Sequence, residues 1–449
     1  MTAISIRERM ATGKSLREQL SRADHALWSA PVDRRDPIDV LEHCNRGRLP
    51  ELVPIRYGRM LQDPFVFLRG SPAVMTRDLA STSVTGIAVQ ACGDCHLTNF
   101  GLFATPERNL IFDLNDFDET LRAPWEWDLK RLATSFVVAG RVHGIAERRA
   151  RDAAIASVRS YREHLREFAM MSPLDIWYYQ ISAGTLIECA PDARSRKYRE
   201  RLADKARRRV GESLFPKITQ EVDGQHHFVE QPPLMTRITD SGTQDVIRAG
   251  LEDYRQSLSD DRRFVFDRYR LEDFALRVVG VGSVATRCFV ALLFCDDKNS
   301  LLLQIKEARR SVLEPYVEAC HFDNQGQRVV VGQRLIQAAS DMFLGWLRAA
   351  SGHDFYVRQL RDMKFSVPID DLTATQFERY AEVCGWTLAR AHARSADAAT
   401  ISGYLGTNSS FERALGKFAV TYADQIERDH AVLVEANRAG RIKAHEVDV

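Results

Sequence analysis

The chain alternates between stretches of helical periodicity and short apolar runs of strand length. Residues 1–28 read as a polar arm and then an amphipathic helix. Within residues 52–79 the run Pro64-Phe-Val-Phe-Leu-Arg-Gly70 is apolar, short and closed by glycine, which predicts a strand ending in a turn. Residues 84–90 and 110–112 predict two more short strands. Across residues 125–166 apolar positions recur at helical spacing, so helices are expected to pack under the segment before them. Residues 194–209 (RSRKYRERLADKARRR) predict a basic helix. Glu200 and Asp204 interrupt it and no aromatic ladder accompanies it, so a solvated face is expected rather than a nucleic-acid surface. Residues 211–240, with Pro232-Pro233, predict a connector between packed units.

The pattern changes near residue 274. Residues 276–294 read as strand, glycine turn, strand, and residues 301–308 as a third strand carrying Lys306. Helical spacing returns at 325–340, strand-like runs follow at 342–347 and 355–360, and 380–394 is again helical. The expected fold class is α+β, with a small antiparallel sheet lobe and a larger, mostly helical lobe. Four segments follow: an N-terminal arm and accessory segment (1–90), a helical large-lobe part (91–270), a small lobe (271–365) and C-terminal helices completing the large lobe (366–449).

Composition narrows the picture. At 449 residues, the chain is long enough for about two or three packed units. A hydrophobic share of 45% and a charged share of 27% are those of an ordinary globular protein. A net charge of +1 supplies no general drive toward nucleic acid or anionic membranes. No apolar run reaches the length of a membrane span. The first residues lack the apolar core of a secretory signal, so a cytoplasmic location is expected. The eight cysteines are scattered and are expected as free thiols.

Candidate chemistry is densest between Cys92 and Arg131. An Asp-x-x-x-x-Asn loop (Asp94 to Asn99) leads into a short apolar strand and then an acid cluster, Asp113, Asp116, Asp118 and Glu119. Phosphoryl transfer uses such parts: one carboxylate orients the attacking hydroxyl, and an amide and a second carboxylate hold magnesium on the nucleotide phosphates. Asp113 and Asp116 are rivals for that second carboxylate. Gly280-x-Gly282-Ser283 lies between two strands, where backbone amides can approach phosphates unobstructed, and Lys306 on the next strand can reach the same phosphates. Arg69 can meet a phosphate or form a structural ion pair. His96 can act as acid or base, or hold the loop's shape. Trp125 and Trp127 are expected to pack. Gly13-Lys14-Ser15 has the ending of a phosphate-binding loop, but Glu8 stands where its first glycine belongs, so helix or loop is expected. Cys92-Gly-Asp-Cys95-His96 fits a haem-attachment spacing that would require export. As a zinc site it lacks a second cysteine pair. Gly93-Asp94-x-His96 lacks the later Gly-Asn-His of binuclear phosphatases.

The Cys92–Arg131 stretch resembles the active-site segment of protein-kinase-like enzymes, above all the aminoglycoside phosphotransferase branch, in which a Gly-Asp-x-His-x-x-Asn loop precedes an apolar strand ending in Asp-Phe-Asp or similar. The resemblance implies Asp94 as the catalytic aspartate, with His96 beside it, and Asn99 and Asp116 as metal ligands, with Asp118 in support. Asp128, in Trp127-Asp128-Leu129, falls on the aspartate that braces the loop. Cys92 departs from the usual histidine. Gly280, Gly282 and Ser283 match the glycine-rich loop, Lys306 the phosphate-binding lysine, and Gln359-Leu360-Arg361 the hinge that meets adenine. The helix ending Leu388-Ala-Arg-Ala-His392 resembles the one that normally leads into the catalytic loop.

Here the order is permuted: catalytic loop and metal aspartate come first, small lobe, hinge and helix last. A circularly permuted, two-lobed protein-kinase-like fold is therefore expected, with the Leu388–His392 turn beside the strand that leads into Asp94. The acidic partner of Lys306 stays open, with Glu314 and Glu318 as candidates. Over most of its length the pattern also resembles an uncharacterised bacterial family, domain of unknown function 2252. The expected activity is an ATP- and Mg2+-dependent phosphotransfer to an unknown hydroxyl acceptor, small molecule or protein. The alternatives are a catalytically lapsed nucleotide-binding scaffold and a nucleotidyl transferase on the same fold.

Overall fold

Short apolar runs become strands wherever a neighbour pairs with them, and the longer periodic stretches become helices. The structure, a computed structural model, describes residues 4–360 and 362–446. Its strands are β1 (Ala88–Ala91), β2 (Phe100–Ala104), β3 (Leu110–Leu114), β4 (Leu121–Pro124), β5 (Thr219–Val222), β6 (Gln225–Phe228), β7 (Met235–Arg237), β8 (Arg270–Arg277), β9 (Cys288–Phe294), β10 (Ser300–Ala308), β11 (Gly345–Arg348), β12 (Asp354–Gln359) and β13 (Phe365–Ser366). The architecture is mixed α+β.

The largest sheet has the order β11-β12-β10-β9-β8-β7, antiparallel throughout. β8 and β9 flank the glycine turn, and β10 places Lys306 opposite Cys288 of β9 and Tyr356 of β12. One face of this sheet is covered by the helix Ser241–Gln256, whose Leu251 and Tyr254 share a core with Leu293, Leu303 and Val357. Leu214 and Phe228 pack with Val290 and Leu292 in another cluster. Residues 211–240 are thus no bare connector: they hold the helix Gly211–Ile218 and strands β5 to β7. The sheet unit accordingly begins well before the boundary expected at residue 271. Apolar burial against the sheet outweighs the local Gly and Pro signals.

The main core is built by the helices Trp125–Val142, Glu147–Phe168, Ala374–Ala393 and Ser410–Arg438. The second and third of these approach so closely at Gly385 that a Cβ there would lie 1.9 Å from the Ser157 carbonyl oxygen. A smaller sheet, β13-β2-β3, stands at the edge of this core, and β1 pairs with β4. The expected neighbourhood of the helix carrying Leu388–His392 and β1 is present: the Gln90 amide donates to Ser395 Oγ at 2.9 Å, just beyond the end of the Ala374–Ala393 helix.

One expectation meets the structure differently, and another, the helix or loop at Gly13-Lys14-Ser15, is met as stated. Pro64–Gly70 is a helix, not a strand. Asp63 caps it by accepting from the Val66 amide, and Pro64 sits in its first turn, which together make a helix start out of an apolar run. Gly13-Lys14-Ser15 ends the helix Ile6–Ser15, where Gly13 lets the Thr400 carbonyl approach; no phosphate loop forms there. Among the described residues no helix is long and apolar enough to cross a membrane.

Candidate active site

The Cys92–Asn99 loop is held from behind by two helices. Asp128 accepts hydrogen bonds from the Cys92 amide at 2.7 Å and the Gly93 amide at 3.0 Å. His392 Nε2 lies 3.3 Å from the same carboxylate, and its Nδ1 lies 2.9 Å from the Tyr161 hydroxyl. A carboxylate only accepts, so Nε2 carries the proton and Nδ1 accepts from the tyrosine. Tyr380 donates to the Leu97 carbonyl at 2.6 Å, and the Leu97 amide donates to Ser135 Oγ at 3.0 Å. Gly93 has φ +82°, and a Cβ there would lie 2.4 Å from the Glu119 carbonyl oxygen, so glycine is required on both counts. With its backbone fixed this way, the loop turns the Asp94 side chain toward the cleft.

Asp94 Oδ1 accepts from Arg131 Nε at 2.7 Å, and Arg131 NH2 reinforces the contact. The same NH2 donates to the Leu68 carbonyl. Burial raises the Asp94 carboxyl above its ordinary value, against the opposing pull of Arg131. The second oxygen, Oδ2, faces His96 Nε2 at 3.7 Å. Burial, with Arg69 and Arg131 nearby, holds His96 well below the usual histidine range, so its ring is neutral at pH 7. Its Nδ1 lies 2.9 Å from Thr98 Oγ1, a contact within the loop.

The structure separates the two rival aspartates. Asp113 is fully buried, paired with Arg390 at 2.6 Å and bonded by the Ala338 amide at 2.9 Å. Its carboxylate is consumed inside the protein. Asp116 instead lines the cleft, and its Oδ1 is buried with no hydrogen-bond partner. Asn99 Nδ2 donates to the Asp94 carbonyl at 2.6 Å, which leaves its Oδ1 without a donor among the described residues. An orphaned carboxylate oxygen and a free amide oxygen are a fitting donor set for magnesium, which takes few protein ligands and keeps waters or phosphate oxygens for the rest. Among the described residues no cluster of three or more His, Cys, Asp or Glu forms a dedicated metal cage. Cys92 and Cys95 are buried, and burial raises the Cys95 thiol well above its ordinary value.

The C-terminal sheet closes the other side. Lys306 Nζ pairs with Asp118 Oδ2 and lies 3.7 Å from Asp116 Oδ1. Asp118 also accepts from Ser283 Oγ at 2.9 Å and from the Tyr356 hydroxyl at 2.8 Å. Burial would raise this carboxyl, but Lys306, Tyr356 and Ser283 together hold it at about 2. The acidic partner of Lys306 is therefore Asp118, from the N-terminal acid cluster. Among the described residues neither Glu314 nor Glu318 pairs with the lysine.

Gly280, Gly282 and Ser283 line a cavity of about 1010 Å³ together with Asp94, His96, Asn99, Asp116 and Asp118. Arg59 donates to the Gly280 carbonyl and braces the turn from outside. Gln359 does not line this cavity; its amide donates to Asp341 Oδ2, and it pairs with Leu303 in the sheet. Arg361 lies outside the described residues. Trp125 is buried in the core, stacked on Tyr161 at 5.9 Å, and Trp127 is also buried.

A family model described as "Uncharacterized protein conserved in bacteria (DUF2252)" matches residues 48–436. The chain belongs to this family. The DUF2252 match takes in the Asp94 loop, the acid cluster, the glycine turn and Lys306 together. No curated protein and no solved structure matches the chain.

Three cationic residues of this DUF2252 chain stand at the site without having been singled out in its sequence. Arg131 had a legible signal: it follows Asp128 by three residues on one helix, so both face the loop. Arg358 donates to Gln304 Oε1 at 3.1 Å and to the Asn115 carbonyl at 3.3 Å. Lys364 reaches the same carbonyl at 3.5 Å. Burial, with Arg358 beside it, lowers the Lys364 ammonium to about 7. Neither had a local signal, because sheet pairing and the turn after β12 bring them to Asn115.

Proposed function

We propose that the protein is an ATP- and magnesium-dependent phosphotransferase with a circularly permuted protein-kinase-like fold, acting on a hydroxyl acceptor. The observation that carries this reading is the ion pairing of Lys306 with Asp118 and Asp116 beside Asp94 and Asn99. Parts far apart in the chain thereby form one cleft. The contact of Gln90 with Ser395, and of His392 with Asp128, supports the permuted order.

In this reading Asp94 orients the acceptor hydroxyl and takes its proton on Oδ2, while Arg131 keeps Oδ1 occupied. The acceptor oxygen forms a bond to the γ-phosphorus as the bond to the β,γ-bridging oxygen breaks and ADP leaves. Lys306 and the amides around Gly280 to Ser283 hold the phosphates in line. Asn99 and Asp116 would hold magnesium, which when bound neutralises phosphate charge. Asp118 tethers the glycine turn and Lys306 to the acid cluster.

Calorimetric titration with ATP, with and without magnesium, tests the reading. Magnesium-dependent binding is expected in the wild type and lost in Asp116→Ala. Failure to bind at millimolar ATP would sink it. Release of pyrophosphate instead of ADP would transfer the assignment to nucleotidyl transfer.

A further inference from the structure

The cavity extends well past the phosphate-binding parts, and its far wall comes from residues 35–77. Arginines dominate that wall. Some are tied down by carbonyls: Arg48 donates to the Val284 carbonyl and Arg56 to the Gly70 carbonyl, which fixes the scaffold around the glycine turn. Arg35, Arg69 and Arg77 differ. Each lines the cavity, and among the described residues none has a carboxylate within ion-pair distance or a hydrogen-bond partner. Arg69 Nε is buried with no hydrogen-bond partner, and the guanidinium lies 5.8 Å from the centre of the Phe65 ring.

Their placement is not accidental surface charge. Arg34 and Asp78, the sequence neighbours of Arg35 and Arg77, form a buried ion pair at 2.7 Å, extended to Asp429. That pair anchors both segments and leaves the two neighbouring arginines on the cavity side. The helix Pro72–Ala80 begins at the same wall, where Ser71 donates to the Phe67 carbonyl instead of capping it. Arg69 stands between the glycine turn and the catalytic loop: a Cβ on Gly282 would lie 3.4 Å from its carbonyl oxygen, and Arg69 bears electrostatically on both Asp94 and Asp116.

We infer that Arg35, Arg69 and Arg77 form the acceptor's anion subsite, so that the acceptor is a hydroxyl compound carrying a phosphate or carboxylate group. Guanidiniums without an ion-pair or hydrogen-bond partner on a cavity wall favour binding of such a group, and their planar donors suit its oxygens. An anion seated on Arg69 presents a neighbouring hydroxyl to Asp94. The acceptor role rests on the phosphotransfer reading; the anion site itself does not.

Calorimetry on the full chain at low ionic strength, with inorganic phosphate as one probe and acetate as the other, tests this. The comparison is wild type against Arg69→Gln and the Arg35→Gln/Arg77→Gln double variant. Saturable binding of at least one anion is expected in the wild type. Each arginine variant should weaken it about tenfold or more. The probe that binds tells a phosphate ester from a carboxylate. Binding of neither anion overturns the inference, as does binding kept at wild-type strength in both arginine variants. Arg35 and Arg77 are exposed, so the double variant tests the site without disturbing the core. Magnesium–ATP titrations on the wild type keep the two ideas apart. Anion binding without ATP binding would sink the phosphotransfer reading alone; ATP binding without anion binding would sink the subsite alone.

Discussion

Asp94 divides its carboxylate between two tasks, with Oδ1 held by Arg131 and Oδ2 left toward the cleft and His96. The division fixes the direction in which a proton can be taken. Asp94→Asn keeps the shape and removes the base of the proposed phosphotransfer. ADP formation should fall by about 10²- to 10⁴-fold while magnesium–ATP affinity stays near wild type; equal losses in both would point to a binding role instead. Lys364 gives a pH signature. Its ammonium titrates at about 7 in the free protein, close to Asp116 and Asp118. A nucleotide phosphate nearby favours the charged form and raises that value, so binding at pH 7.5 should take up a proton. Calorimetry in two buffers of different ionisation enthalpy reads the uptake, and Lys364→Met should abolish it. Uptake that persists in this variant would assign the proton elsewhere.

At the scale of elements, the Cys92–Asn99 loop is shaped by groups that never face the cleft. Asp128 satisfies two loop amides and His392 from the first turn of the Trp125–Val142 helix. Its loss strands buried donors, so Asp128→Ala should destabilise the fold by about 3 kcal/mol. Urea unfolding at constant m-value measures this, and a change below a few tenths would refute the bracing role. The glycine turn between β8 and β9 is set from both sides, by Arg59 on the Gly280 carbonyl and, within the cleft, by Asp118 on Ser283. Pro64–Gly70 shows how weak an apolar run is as a strand signal. With a cap at Asp63 and Pro64 in the first turn, its apolar side chains are buried on a helix.

Over the whole molecule, the two ends of the chain are packed into one body. β13 pairs with β2, and Arg390 of the Ala374–Ala393 helix meets Asp113 of β3 in a fully buried pair. Breaking such a pair by removing one partner leaves an uncompensated buried charge. Asp113→Ala should therefore lower unfolding free energy by about 3–5 kcal/mol. Calorimetric unfolding should still give one transition, since the pair links segments of a shared core; two separated transitions would mean that the ends fold independently.

The local chemistry of the site was legible in the amino-acid order alone. Asp94, Asn99 and the acid cluster lie within one short stretch, and a glycine turn followed by a lysine strand has a readable period. The α+β class and the main helices follow from hydrophobic spacing, which is a local property of the chain. What only the tertiary structure decided are the pairings between distant segments. Asp113 and Asp116 are three residues apart and chemically identical, yet one is buried against Arg390 and the other keeps a free oxygen in the cleft. Lys306 found its acid in Asp118, not on the neighbouring helix. Residues 211–240 read as a connector because their apolar positions gain meaning only against a sheet formed much later in the chain. Spacing along the sequence fixes which groups can share an element, but burial and charge compensation across the fold decide which of them are left free to react.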